Sequence, residues 1–73
     1  MEKRGKDIRK ITILAQMLVL FGEVPREYSP HRLQGVWEGV MECHIEHDWL
    51  LLYSVSETEV VLFRTGTHTD LFG

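Results

Sequence analysis

The sequence has one cysteine, Cys43, two prolines, and no apolar run long enough to span a membrane. A single thiol cannot close an internal disulfide, so the chain suits a reducing compartment such as the cytosol. A membrane helix needs about 20 consecutive apolar residues, and Gln16 interrupts the segment ITILAQMLVLF. Positive charge is also short: 8 Lys and Arg stand against 11 Asp and Glu, for a net charge of −3. Sequence-independent binding of naked nucleic acid rests on counterion release by Lys and Arg, so the composition argues against it while leaving room for a local cationic site. The paired CxxC or HExxH spacing of a metal site is missing too.

What is present is a chain of 73 residues, 44% hydrophobic, which makes one domain (residues 1–73) with a core worth only a few kcal/mol. The basic start MEKRGKDIRK and the apolar stretch after it superficially resemble a signal peptide. No small-residue cleavage pattern follows, and Glu23 comes soon after, so the segment is read as a helix of the mature protein.

Apolar residues Ile8, Ile11, Ala15 and Leu18, widened by Leu14 and Phe21, recur at helical spacing and predict a helix from about Lys6 to Phe21, with Gly22 as its stop. The proline- and glycine-containing GEVPREYSPHRLQG predicts a loop with at most a short turn. From Val36 to Ile45 the pattern alternates. Trp37, Met41, Cys43 and Ile45 share one face; Val36, Glu38, Val40, Glu42 and His44 share the other, more polar one. A turn at Glu46 and His47, an apolar strand from Trp49 to Val55, a second turn at SETE and a last strand from Val60 to Thr65 complete the outline. The class is α+β: one helix packed on a three-stranded antiparallel meander. Ile13, Met17 and Leu20 form a second helical stripe, which one helix on one sheet does not need.

Four histidines are many for this length. Each also has an inert reading: His31 solvated in a loop, His44 exposed on a strand, His47 in a turn, His68 in a polar tail. A zinc site from Cys43, His44, His47 and Asp48 is weak, because strand neighbours 43 and 44 point to opposite faces. A reactive thiolate at Cys43 is weaker still, because Cys43 falls on the core face. An acid–base set is better supported. In a meander, His44 and Asp48 beside the first turn, Arg64 and His68 at the end of the last strand, and the loop at His31 can converge. Attack of an RNA 2′-hydroxyl on its own phosphate needs a base, an acid for the leaving oxygen, and a cation for the phosphorane charge. Histidine, with an ordinary pKa of about 6.5, serves the first two near neutrality.

The stretch HRLQGVWEGVMECHIEHDWLLLY, followed by RTGTHTDLFG, resembles the YafQ branch of the RelE/ParE toxin superfamily. The motifs H-x-L-x-G, W-x-G, C-H-I-E-x-D-W and R-T-G-T-H-x-x-L-F stand in family order. The resemblance implies a truncated RelE-like α+β fold and a bacterial type II toxin that cuts mRNA on the ribosome. It implies catalytic roles for His31, His44, Asp48 and His68, and RNA contacts from Arg64, Trp49 and Phe72, with neither metal nor cofactor. The implied partners are a cognate antitoxin, the ribosome and mRNA, with no membrane and a cytoplasmic location. Where the family usually has proline, this chain has Arg32 and His47; where it usually has a basic residue, Met41; and this chain is acidic. Family members also begin with a strand and a helix ahead of the helix found here. The alternative is a catalytically impaired, truncated toxin-like domain that binds an antitoxin or self-associates. The uncovered stripe and the sheet edge left by an absent first strand favour a homo-oligomer when the chain is alone.

Overall fold

The computed structural model describes residues 7–72. The predicted helix is α1, Arg9–Phe21, with the order β1 (His31–Arg32), β2 (Met41–Glu46), β3 (Trp49–Val55), β4 (Val60–Gly66) and α2 (His68–Phe72) after it. The Lys6 end of the predicted helix lies outside the described residues. Asp7 opens the helix by accepting the Arg9 N–H at 3.0 Å on its carboxylate and pairing with the Arg9 guanidinium. Gly22 closes it at φ 78°, a left-handed conformation that favours glycine, and its N–H donates to the Leu18 carbonyl.

The four strands pair in sequence order, all antiparallel. The meander therefore has one strand more than expected, the two-residue β1, which sits where a simple loop was predicted. β2 is shorter than the alternation suggested. Gly35 and Gly39 adopt positive φ of 70° and 92°, and residues Gly35–Trp37 form a single tight turn. Val36 is consequently almost fully exposed. Trp37 leaves the face assigned to it beside Cys43 and Ile45 and packs on the other side of the sheet, against the cluster of Leu50, Leu52 and Leu71. The first turn centres on His47 and Asp48, one residue later than expected.

Strand β3 explains its own sequence. It lies between β2 and β4 and is covered on both sides, so WLLLY is apolar without alternation. Trp49, Leu51 and Tyr53 join Cys43, Ile45 and the α1 residues Leu14 and Leu18 on one side. Leu50 and Leu52 meet Leu71 of α2 on the other. Burying Leu14 and Leu18 completely is worth about 1.5–3 kcal/mol each. Ile8 and Phe21, expected on the covered face, are exposed near the helix ends. Met17, expected on the uncovered stripe, instead packs against the core.

Candidate active site

The sheet face opposite α1 carries the chemistry, and strand register decides which groups meet there. His31 on β1 pairs with Glu42 on β2, Glu42 with Leu52 on β3, and Leu52 with Arg64 on β4. Directly paired residues share a face, so His31, Glu42 and Arg64 form one row across the strands. His44, Leu50 and Gly66 form the neighbouring row. Two of the four sequence-derived reactive groups, His31 and His44, thereby come together around a residue that had no assigned role.

That residue is Glu42. It is 3% exposed, the only charged side chain in the buried set among the described residues. Its Oε1 lies 2.9 Å from His31 Nε2 and 3.9 Å from His44 Nε2. His31 Nδ1 makes a 3.1 Å hydrogen bond with the Ser29 carbonyl. Alternation had placed Glu42 on the polar face, but only the covering by β1 and β3 turns a surface carboxylate into a buried one.

The other two reactive groups meet at the end of the sheet. Asp48, in the turn between β2 and β3, accepts the backbone N–H of His68 at 3.4 Å. The final segment is ordered as α2, where a tail was expected. Thr67 and Asp70 cap it reciprocally, as in a capping box, and Leu71 anchors it on Leu50 and Leu52. The T-x-x-D spacing was the signal in the sequence for this helix. Gly66 lets α2 turn back closely, because a Cβ there would come within 2.9 Å of the Asp70 Cβ.

Along α2, the His68 and Phe72 rings lie 5.3 Å apart, one helical turn from each other. Phe72 also meets Trp37 edge-on at 6.1 Å between centroids. Trp37 thus joins the site's aromatic border, a role that its sequence position did not indicate. The exposed Arg64 guanidinium makes no ion pair among the described residues. Trp49, expected to contact RNA, is instead 3% exposed in the core beneath α1, where its work is packing. Cys43 is buried in the same core, and burial pushes its thiol up to about 12, which leaves it unreactive. Among the described residues no group of three His, Cys, Asp or Glu side chains is placed to hold a metal ion.

The chain matches, over residues 1–73, the family described as bacterial toxin of type II toxin–antitoxin system, YafQ. It is 40% identical over 73 residues to the mRNA interferase toxin YafQ of Escherichia coli strain K12, covering 99% of this chain and 79% of that one. The crystal structure of YafQ from Escherichia coli strain BL21(DE3) is similar with a TM-score of 0.87 and 37% identity, covering 96% of this chain and 79% of that one. The crystal structure of the Escherichia coli DinJ–YafQ complex is similar with a TM-score of 0.83 and 38% identity over the same shares.

Proposed function

We propose, for a chain that belongs to the YafQ family of bacterial type II toxin–antitoxin toxins, the activity for which its relatives are named: it is an mRNA interferase, an endoribonuclease toxin. The observation that carries this reading is the common sheet face, with His31, Glu42 and Arg64 in one row, His44 in the next, and His68 held at Asp48. The row and the turn supply the parts that phosphodiester cleavage needs. A base removes the proton of the 2′-hydroxyl, whose oxygen forms a bond to phosphorus. The bond from phosphorus to the 5′-oxygen breaks, an acid protonates that oxygen, and a 2′,3′-cyclic phosphate remains. His44 and His68 share the proton transfers, with His68 the main group. Arg64 stabilises the charge on the phosphorane. Asp48 fixes the start of α2, and Phe72 offers a ring for a base.

The ribosome positions the substrate, since a net charge of −3 gives little attraction for free RNA. A cognate antitoxin is the natural protein partner, as in the complex formed by the relative. The reading implies one domain working in the cytoplasm, where the ribosomes are; no helix among the described residues is long and apolar enough to cross a membrane. We further propose that a second copy of the chain is the partner when the protein is alone. Among the described residues β4 pairs only with β3, which leaves a sheet edge. Beside it, Ile11, Ala15, Val19 and Leu20 of α1 form an open apolar groove with Leu62.

The test is cleavage of ribosome-bound mRNA in a translating extract. His68→Ala lowers the rate by about 10²-fold or more, the usual scale for a general acid or base. A chelator that spares the ribosome leaves the wild type active. Full activity of His68→Ala sinks the assignment, and a wild type that binds antitoxin without cutting mRNA makes the chain an impaired toxin.

A further inference from the structure

We propose that Trp37 is a positioning residue: through the ring of Phe72 it sets where the His68 imidazole stands on the RNA face. The inference deepens the mRNA-cleaving reading above and rests on it for the kinetic part of its test.

The His68 side chain has little of its own to hold it. It is exposed on a helix of five residues, too short to be stable alone. Asp48 accepts its backbone N–H, which fixes the start of α2 and leaves the side chain its choice of rotamer. Leu71 anchors the helix on Leu50 and Leu52. The neighbour of the imidazole itself is the Phe72 ring, one turn on, with centroids 5.3 Å and planes 52° apart. Phe72 is the last residue of α2 and is 38% exposed, so packing from outside the helix decides where its ring lies. Trp37 supplies that packing. The two rings meet edge to face, centroids 6.1 Å and planes 86° apart, an arrangement that ring quadrupoles favour.

Trp37 is itself fixed twice over. Its side chain packs against the cluster of Leu50, Leu52 and Leu71. Its loop is closed by backbone hydrogen bonds: the Leu33 N–H donates to the Val40 carbonyl at 2.9 Å, the Glu38 N–H to the Gly35 carbonyl at 3.0 Å, and the Val40 N–H to the Trp37 carbonyl at 3.0 Å. Gly39, the glycine of W-x-G, turns the chain towards β2 at φ 92°. A Cβ there would meet open space, so backbone conformation and not crowding asks for glycine. The motif W-x-G thus has a physical reading, a closed turn that presents one ring to α2. Leucine would fill the same apolar cluster without presenting a ring, so packing by itself does not require tryptophan.

Nuclear Overhauser contacts read the line of rings directly. In the folded wild type they should join Trp37 to Phe72 and Phe72 to His68. Trp37→Leu should weaken the contacts between Phe72 and His68 while the cross-strand contacts of β2 with β3 stay. Trp37→Phe, which keeps a ring edge, should retain both sets. Missing contacts between Trp37 and Phe72 in the wild type overturn the proposal without any variant having to fold. Unchanged contacts between Phe72 and His68 in Trp37→Leu overturn it too. Single-turnover cleavage of ribosome-bound mRNA is the second measurement. At saturating protein, Trp37→Leu should cut about tenfold more slowly or worse, the scale on which misplaced catalytic groups are felt, and Trp37→Phe should restore most of the rate. A wild-type saturated rate in Trp37→Leu, with only the half-saturating concentration raised, would make Trp37 an RNA contact and overturn the proposal. If the wild type does not cut mRNA, the functional reading fails, and the ring contacts still decide whether Trp37 positions His68.

Discussion

The hydroxyl of Thr67 accepts the Asp70 N–H at 3.1 Å, and the Asp70 carboxylate accepts the Thr67 N–H at 3.0 Å. This exchange starts a helix of only five residues, too short to be stable alone, and so it fixes where His68 and Phe72 stand. Thr67→Ala should cost about 1 kcal/mol, the usual loss for a helix cap. It should lower mRNA cleavage more than this small change in stability accounts for, while Thr67→Ser keeps both. Gly66→Ala should have the same effect by forcing Asp70 away. Thermal unfolding and cleavage rates measured on the same samples check this; wild-type cleavage by Thr67→Ala would show that α2 needs no cap.

Trp49 separates packing from recognition. Its burial predicts that Trp49→Ala loses roughly 3–5 kcal/mol of stability, as large core truncations do. Trp49→Phe keeps most of the apolar volume and should cleave at nearly the wild-type rate. A Trp49→Phe protein with native unfolding behaviour and much weaker cleavage would return Trp49 to the RNA-contacting set.

Alkaline pH should weaken the fold. Burial raises the Cys43 thiol from 9.0 to about 12 and the Tyr53 phenol from 10.0 to about 12. Both groups ionise in the unfolded chain before they ionise in the folded one. Their contribution is complete below about pH 9 and is lost as pH climbs towards 12. Denaturant unfolding at pH 8 to 11 should show stability falling, with a shallower fall in Cys43→Ala. A flat profile in the wild type would mean that the two groups are less buried than described.

The groove beside β4 predicts self-association. Val19 is 69% exposed and faces it together with Leu62, whereas Met17 packs on the core and is a poor probe. Sedimentation equilibrium at low micromolar concentration should show a dimer. Val19→Glu should shift it to monomer without unfolding it, because a charge is tolerated in water and not in an apolar interface. A wild type that stays monomeric across the concentration range removes the second copy from the account.

Local pattern alone determined much of this molecule. Apolar period fixed α1, Gly22 marked its end, and the short apolar run WLLLY marked the central strand, because these signals depend on neighbours a few residues away. The motifs from His31 to Phe72 identified the reactive residue types. The tail helix is written in T-x-x-D, although the segment otherwise reads as a polar tail. Other features had no local signal. Whether Glu42 is solvated or buried depends on β1 and β3 lying on either side of it, and β1 is two residues long. Trp37 and Trp49 lie on opposite sides of the sheet because the turn Gly35–Trp37 and the positive φ of Gly39 take Trp37 out of the β2 alternation. The pairing of His31 with Glu42 joins residues eleven apart through strand register. Register is set by the packing of the whole sheet, so only the tertiary structure decided which histidines meet Glu42.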